Sequence, residues 1–438
     1  MELKTKYQYT YFIYPYIISE KKYDKYILKL LNKKDIKVRF FEKEKDLDIY
    51  SYFLPTIKEF MFQGFEFNKE KINKFEEFSK EMQTMILSKY PCTVFEYNIG
   101  RELQGKAGEE EGIFFKIQKL ELICFNTGIC FLVIKTNIED SDDFTDVLNF
   151  NYKFRDIYGE FKELKEYESI RLQTTTFSDV KKLKDLICEL TGNVGDAKKI
   201  DINTNRFLTY AYTCIDQIDW NENKPFKNIE FEFFKYANIF PSAYKSNFDR
   251  KHMETLSKWN FIHTGFTKEG MALLTSSIDI HNYTILPHIY ENQHLYTYIL
   301  VQYQKLYLKK IENEFKEKAK MSFAKETFIK FTKNLWIQEI TNDDIGTNIY
   351  KKLRKVCEIE KIYNNIKSKF DIAYKELNIE KESKLNKVIL AILVISLLLN
   401  IVNFIALSCQ WGRRFLTTFS IEGGKNASYL WNRHYRNR

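Results

Sequence analysis

Gly100-Arg101-Glu102-Leu103-Gln104-Gly105-Lys106-Ala107 falls one residue short of the phosphate-binding pattern G-x-x-x-x-G-K-S/T. That pattern works because backbone N–H groups and a following helix N-terminus cradle phosphate oxygens, while the Ser or Thr hydroxyl holds magnesium. Ala107 supplies no hydroxyl, and Gly108-Glu109-Glu110-Glu111-Gly112 opens a helix poorly. The segment therefore reads as an exposed loop between strands. A second group, Glu139, Asp140, Asp142, Asp143 and Asp146, has the carboxylate density a hard divalent cation wants. Acids just before a helix also favour its N-terminal turn, and capping is the expected role. His281, His288 and His294 lie seven and six residues apart, without the H-E-x-x-H spacing of a metal pair. His252 and His263 are isolated. No G-x-S-x-G elbow occurs, and the seven cysteines show no C-x-x-C spacing. No metal, cofactor or enzymatic activity is expected.

The most informative spacing lies near the end of the chain. Val388 to Cys409 runs 22 residues without a charge. As a helix rising 1.5 Å per residue it is about 33 Å long, enough to span a bilayer. Lys381, Lys384 and Lys387 flank one side, and Trp411, Arg413 and Arg414 the other. Within the span Ile389, Leu393, Ser396, Asn400, Asn403 and Leu407 are spaced 4, 3, 4, 3, 4. That places Ser396, Asn400 and Asn403 on one helix face. An amide is costly against lipid, so this face is expected to meet a partner helix or line a water-filled path.

Bulk properties suit a large domain on such an anchor. The 438 residues are 44% hydrophobic and 29% charged, with 37 Phe and 29 Tyr but only 15 Gly and 6 Pro. Long disordered stretches are not expected from this composition. The formal net charge of +9 comes from Lys and Glu interspersed without a long basic block, so nucleic acid is not an expected partner. Scattered thiols suit a reducing compartment. Met1 to Thr10 has no apolar leader core, and a cytosolic N-terminal domain is expected. The stretch Gln410 to Arg438 carries five of the chain's 12 Arg, and positive charge favours the cytosolic side for it as well. Either this tail crosses late, or it lies on the inner surface beside a re-entrant or strongly tilted helix.

Strands are expected at Tyr7–Tyr14, Ile36–Phe41, Cys92–Ile99, Ile117–Phe125, Ile129–Thr136 and Arg206–Ile215. Asn126-Thr127-Gly128 should turn a hairpin, with Gly128 supplying positive φ. Helical periodicity covers Tyr23–Leu31, Lys69–Leu87, Asp142–Asn149 and Asp179–Leu190, the last capped by Ser178 or Asp179. From Glu291 onward strand signals cease. Amphipathic helices are expected over Leu295–Lys320 and Phe323–Ile340, and Thr341-Asn342-Asp343-Asp344 opens a third near Ile345. Ile349, Leu353, Val356, Ile359, Tyr363, Ile366, Phe370, Ala373 and Leu377 then follow nearly a heptad seam. No Pro or Gly interrupts a helix from about Asn348 to Leu407, roughly 90 Å long, which could carry movement into the span.

An α/β cytosolic domain, a long terminal helix and a direct run into a membrane helix resemble the CorA family of magnesium channels. That family carries a Gly-Met-Asn motif and a second membrane helix after the first. This chain has no Met beyond Met321, and Phe415 to Ile421 is too short to span. The resemblance implies a homo-oligomeric membrane assembly but transfers no functional residue. Tyr11-Phe12-Ile13-Tyr14-Pro15-Tyr16, Asn137-Ile138-Glu139-Asp140-Ser141-Asp142 and Trp336-Ile337-Gln338-Glu339-Ile340-Thr341-Asn342 are similar to segments of uncharacterised proteins of clostridial and related bacteria, which imply no activity.

The expected architecture is α+β: a mixed-sheet cytosolic domain over 1–290, a helical stalk over 291–387, one transmembrane helix over 388–409 and a basic tail over 410–438. The expected function is that of a single-pass cell-membrane protein, self-associating in a CorA-like manner, whose cytosolic domain controls the span, in its sharpest form for ion passage. The alternative is a membrane-anchored binding or sensor module, for example an antiviral effector answering a nucleotide messenger. Expected partners are the bilayer, further copies of the chain and an unidentified small ligand.

Overall fold

The computed structural model describes residues 3–98, 103–107, 112–157, 170–173, 181–192, 205–245, 253–316 and 321–434, with backbone alone at 103, 104, 106, 170–173, 181, 374, 376–383 and 412–434. The proposed cap at Ser178 and Asp179 lies outside the described residues. The chain divides into two units, Met1–Ile366 and Lys367–Arg438.

Among the described residues of the first unit, twelve strands form one mixed sheet. They are β1 (Thr5–Ile17), β2 (Ile36–Arg39), β3 (Cys92–Tyr97), β4 (Leu103–Ala107), β5 (Ile113–Phe125), β6 (Ile129–Ile138), β7 (Ile170–Gln173), β8 (Lys181–Lys182), β9 (Leu208–Ile215), β10 (Glu254–Trp259), β11 (Ile262–Phe266) and β12 (Gly270–Ser276). The main path is β10-β11-β12-β9-β1-β6-β5-β4-β7-β8, with β3 also pairing β5, and β2 pairing β3. Only the β12–β9 pairing among them is parallel. β5 and β6 form the expected hairpin. Its turn brings Gly128, at φ +82°, so close to β1 that its carbonyl accepts from Ile18 N at 2.8 Å.

Side chains alternate across a strand with period two, so a strand buried on both faces needs apolar residues at nearly every position. β1 shows this directly. Phe12 and Tyr16 join the core formed with helices Tyr23–Leu31, Phe144–Phe154 and Leu183–Thr191. Tyr9 and Tyr11 point to the other face, where Tyr9 stacks on Tyr212 and Tyr210 stacks on Tyr290. That second face is covered by helix Leu295–Lys316: Tyr303 stacks on Phe125 with ring centroids 3.9 Å apart. The sheet is therefore sandwiched between two helical layers, an α+β mixed-sheet arrangement.

Several element boundaries differ from the sequence expectation. Strands β10, β11 and β12 occupy a region without a clear strand signal, and Leu103–Ala107 is sheet rather than loop. The helix expected over 69–87 is two, Lys69–Glu77 and Lys80–Leu87, because Ser79 caps the second by accepting from Met82 N. Helix Leu295–Lys316 is buried on every side through its first turns rather than amphipathic. Helix Met321–Asn334 stops six residues early; Ile340 and Thr341 instead run beside Phe53 and Leu54.

The unbroken helix from Asn348 is also corrected. Helix Asp344–Val356 ends at Cys357, and Glu358 takes φ +55° before helix Ile359–His434 begins. Ile349, Leu353, Val356, Ile359 and Ile366 are buried within the first unit. This part of the heptad-like seam thus packs on its own chain and requires no partner helix. The section from 291 to 366 belongs to the sheet-containing unit.

Candidate functional site

Two features stand out, one in each unit. In the second unit, helix Ile359–His434 contains the stretch Lys384–Trp411, the one candidate among the described residues that is long and apolar enough to cross a membrane. It is compatible with single-pass membrane localisation. Its 28 residues are wholly unburied in the monomer, as a lipid-facing helix would be. Ser396, Asn400 and Asn403 are all exposed on this helix, and their spacing puts them on one face. Ser408 differs: its hydroxyl donates to Phe404 O one turn earlier at 2.8 Å, which satisfies it within the helix. An Asn amide has two donors and an acceptor, so one backbone bond of this kind, such as Asn238 makes to Phe234 O at 2.9 Å, leaves the rest of the group unpaired.

In the first unit, a cavity of about 680 Å³ opens between strands β10–β12, the segment 278–294 and the start of helix Asp344–Val356. Leu256, Phe261, Ile262, Leu273, Ile289 and Ile349 give it apolar walls. Its exposed rim carries Lys258, Trp259, Asp279 and Asp343, with the Lys258 ammonium 5.2 Å from the Trp259 ring centre. Asp343 is held in place as a helix cap, accepting from Gly346 N at 2.6 Å.

His294 lines this cavity at 5% exposure, and its Nδ1 is buried without a hydrogen-bond partner. Burial pushes its pKa down to about 4, against the opposing charge of Asp343, so the ring is neutral near pH 7. His281 lines the same cavity, whereas His288 is exposed and does not. Two of the three histidines thus line one cavity. No group of three or more His, Cys, Asp or Glu able to hold a metal occurs among the described residues. His263 stacks on Phe226 at 3.5 Å, and burial lowers its pKa to about 4. His252 lies outside the described residues.

The remaining sequence candidates have structural roles. Asp143 caps helix Phe144–Phe154 by accepting from Thr145 N at 2.8 Å. Ser141 donates to Asp146 and accepts from Asp143 N, while Asp142 pairs with Lys4 at 3.3 Å and Glu139 with Lys116. Gly105 and Ala107 of the phosphate-loop pattern sit in β4, paired with β5 and β7, so their backbone groups serve the sheet. The segment 336–342 is an internal brace. Ile337 O accepts from Tyr350 at 2.9 Å and from Arg354 at 2.8 Å, and Trp336 stacks on Tyr363 at 4.0 Å.

No family model matches the chain, and neither a curated protein nor a solved structure matches it.

Proposed function

We propose that this chain is a single-pass protein of the cell membrane, with its N-terminal α/β domain in the cytosol. It self-associates through the face of its span that bears Ser396, Asn400 and Asn403. The observation that carries this reading is the polar stripe on an otherwise apolar, wholly unburied helix. In hydrocarbon an unpaired amide is expensive, and an interhelical Asn pair offsets that by about 0.6–2 kcal/mol. A seam of this kind needs only a second copy of the same helix, related by symmetry. Ion passage along the same face, governed by the α/β domain, is its sharper form.

The test is the mass of the detergent-solubilised full chain by light scattering after gel filtration. The wild type should run as a discrete oligomer, and the double variant Asn400→Leu, Asn403→Leu should shift toward monomer at equal concentration. A wild type that is monomeric across the accessible concentration range overturns the reading. Liposome flux separates passage from association: an oligomer with no current retains the seam and discards the pore.

A further inference from the structure

We propose that the cavity bounded by β10–β12, the segment 278–294 and the start of helix Asp344–Val356 binds an amphiphilic organic cation, an apolar body carrying a protonated amine. This proposal concerns the first unit alone and does not rest on self-association of the span.

Volume is the first observation. Protein interiors pack closely, with few voids larger than a water molecule. A cavity of about 680 Å³ falls instead within the size range of small-molecule sites. Leu256, Leu273, Ile289 and Ile349 supply apolar lining, which suits the body of the ligand.

Charge is the second observation. The lining carries two carboxylates, Asp279 and Asp343, against one ammonium, Lys258. That ammonium sits at the rim, 5.2 Å from the Trp259 ring centre. Each carboxylate is oriented by backbone and keeps one oxygen for a ligand. Asp279 accepts from His281 N through Oδ1 at 2.9 Å, and Asp343 accepts from Gly346 N through Oδ2 at 2.6 Å. The surplus of negative charge favours a cation over an anion of the same shape.

The uncharged polar groups are the third observation. Asn282, 3% exposed, donates from Nδ2 to Ser276 O at 2.9 Å, which fixes the amide and leaves Oδ1 as an unfilled acceptor. Gln293 donates from Nε2 to Asp48 O at 3.3 Å and leaves Oε1 in the same state. Buried polar atoms in folded proteins are nearly always paired. An alkylammonium has three N–H donors and no acceptor. It therefore matches a lining that offers the open oxygens of Asp279, Asp343, Asn282 and Gln293 and a single ammonium. Asn260, Thr264 and His281 can donate or accept, so they oppose neither role.

The experiment uses the full chain in detergent at pH 8, where histidine is ordinarily neutral and an alkylamine protonated. Three probes share one shape: phenethylamine, phenethyl alcohol and hydrocinnamate. Dissociation constants are measured by titration calorimetry, with detergent alone as the blank. Phenethylamine should bind the wild type about fivefold more tightly than the alcohol, the worth of one ion pair near solvent, and hydrocinnamate should bind most weakly. The double variant Asp279→Asn, Asp343→Asn retains side-chain acceptors for both backbone N–H groups, since Asn caps as well as Asp, and should erase the preference for the amine. Ile345→Trp, which places bulk in the cavity from the helix start, should abolish binding of all three probes while the circular dichroism spectrum stays unchanged. The double variant decides the matter if Ile345→Trp does not fold. Equal affinity of the wild type for amine and alcohol overturns the proposal, as does tighter binding of hydrocinnamate or no binding at all. A preference that survives the double substitution, or binding that survives a folded Ile345→Trp, overturns it as well. None of these readouts depends on oligomer mass, so failure here and failure of the membrane seam are distinguishable.

Discussion

The Lys135 ammonium lies 2.7 Å from the Glu291 carboxylate, tying strand β6 to the segment that leads into helix Leu295–Lys316. Both side chains are mostly buried, and Tyr11 donates its hydroxyl to the same carboxylate. The ammonium also lies 4.7 Å from the Tyr9 ring centre, so the pair is set into the tyrosine layer that joins sheet to helices. Removing one partner of such a pair strands a buried charge. Lys135→Met is therefore expected to destabilise the domain by about 3 kcal/mol. Thermal unfolding should show Lys135→Met, Glu291→Leu to be more stable than Lys135→Met alone. If the double variant is the weaker, Glu291 stabilises the fold through Tyr11 and Lys119 even without Lys135.

Acid titration gives a separate reading of this pair. Burial raises the Glu291 pKa, but Lys135, the Tyr11 hydrogen bond and Lys119 outweigh it and hold the carboxyl below its ordinary value. A carboxylate whose folded pKa is depressed adds stability that is complete above its unfolded pKa of about 4.3. That contribution is lost as pH falls through the lower folded value. Glu291→Gln should show a shallower loss of unfolding free energy below about pH 4. An unchanged slope would mean that Glu291 is not the group responsible.

Gly128 yields a backbone prediction. A Cβ on Gly128 would lie 2.0 Å from the Ile18 carbonyl oxygen, and the residue sits at φ +82°. Gly128→Ala meets both a clash with rigid backbone and a strained conformation, each of order 1–3 kcal/mol. The hairpin would have to move away from β1, and chemical denaturation should show a loss above about 2 kcal/mol. A loss below that would mean the turn shifts freely.

The centre of the sheet was legible because its physics is local. Alternating aromatic and β-branched residues mark β1, β5, β6 and β9, and the glycine turn sets the hairpin. Strand β10 was not legible: Glu254-Thr255-Leu256-Ser257-Lys258-Trp259 lies at a sheet edge, with Thr255, Ser257 and Lys258 exposed and little apolar periodicity. The break at Glu358 was hidden for a different reason. It contains no Gly or Pro, and its positive φ comes from packing on either side, where Cys357 and Ile359 are both buried. The polar stripe in the span could be read from spacing alone, since helix geometry dictates which residues share a face. The cavity could not, because its walls come from segments nearly a hundred residues apart, Leu256 to Ile349.

His294 gives the last prediction. Its pKa is about 4 in the folded protein, because burial disfavours the charged ring despite Asp343, against about 6.5 when unfolded. Between these values the unfolded chain binds a proton that the folded chain refuses, so stability falls as pH drops from about 6.5 toward 4. Below the folded pKa both states are protonated, and this group causes no further loss. The gap corresponds to about 3 kcal/mol. His294→Phe carries no titrating ring, so its unfolding free energy should decline less across that window than the wild type's. Denaturant titrations at pH 7 and pH 4.5 make the comparison directly. Parallel declines in the two proteins would place the acid sensitivity elsewhere and mean that water reaches His294 well enough to keep its ordinary basicity.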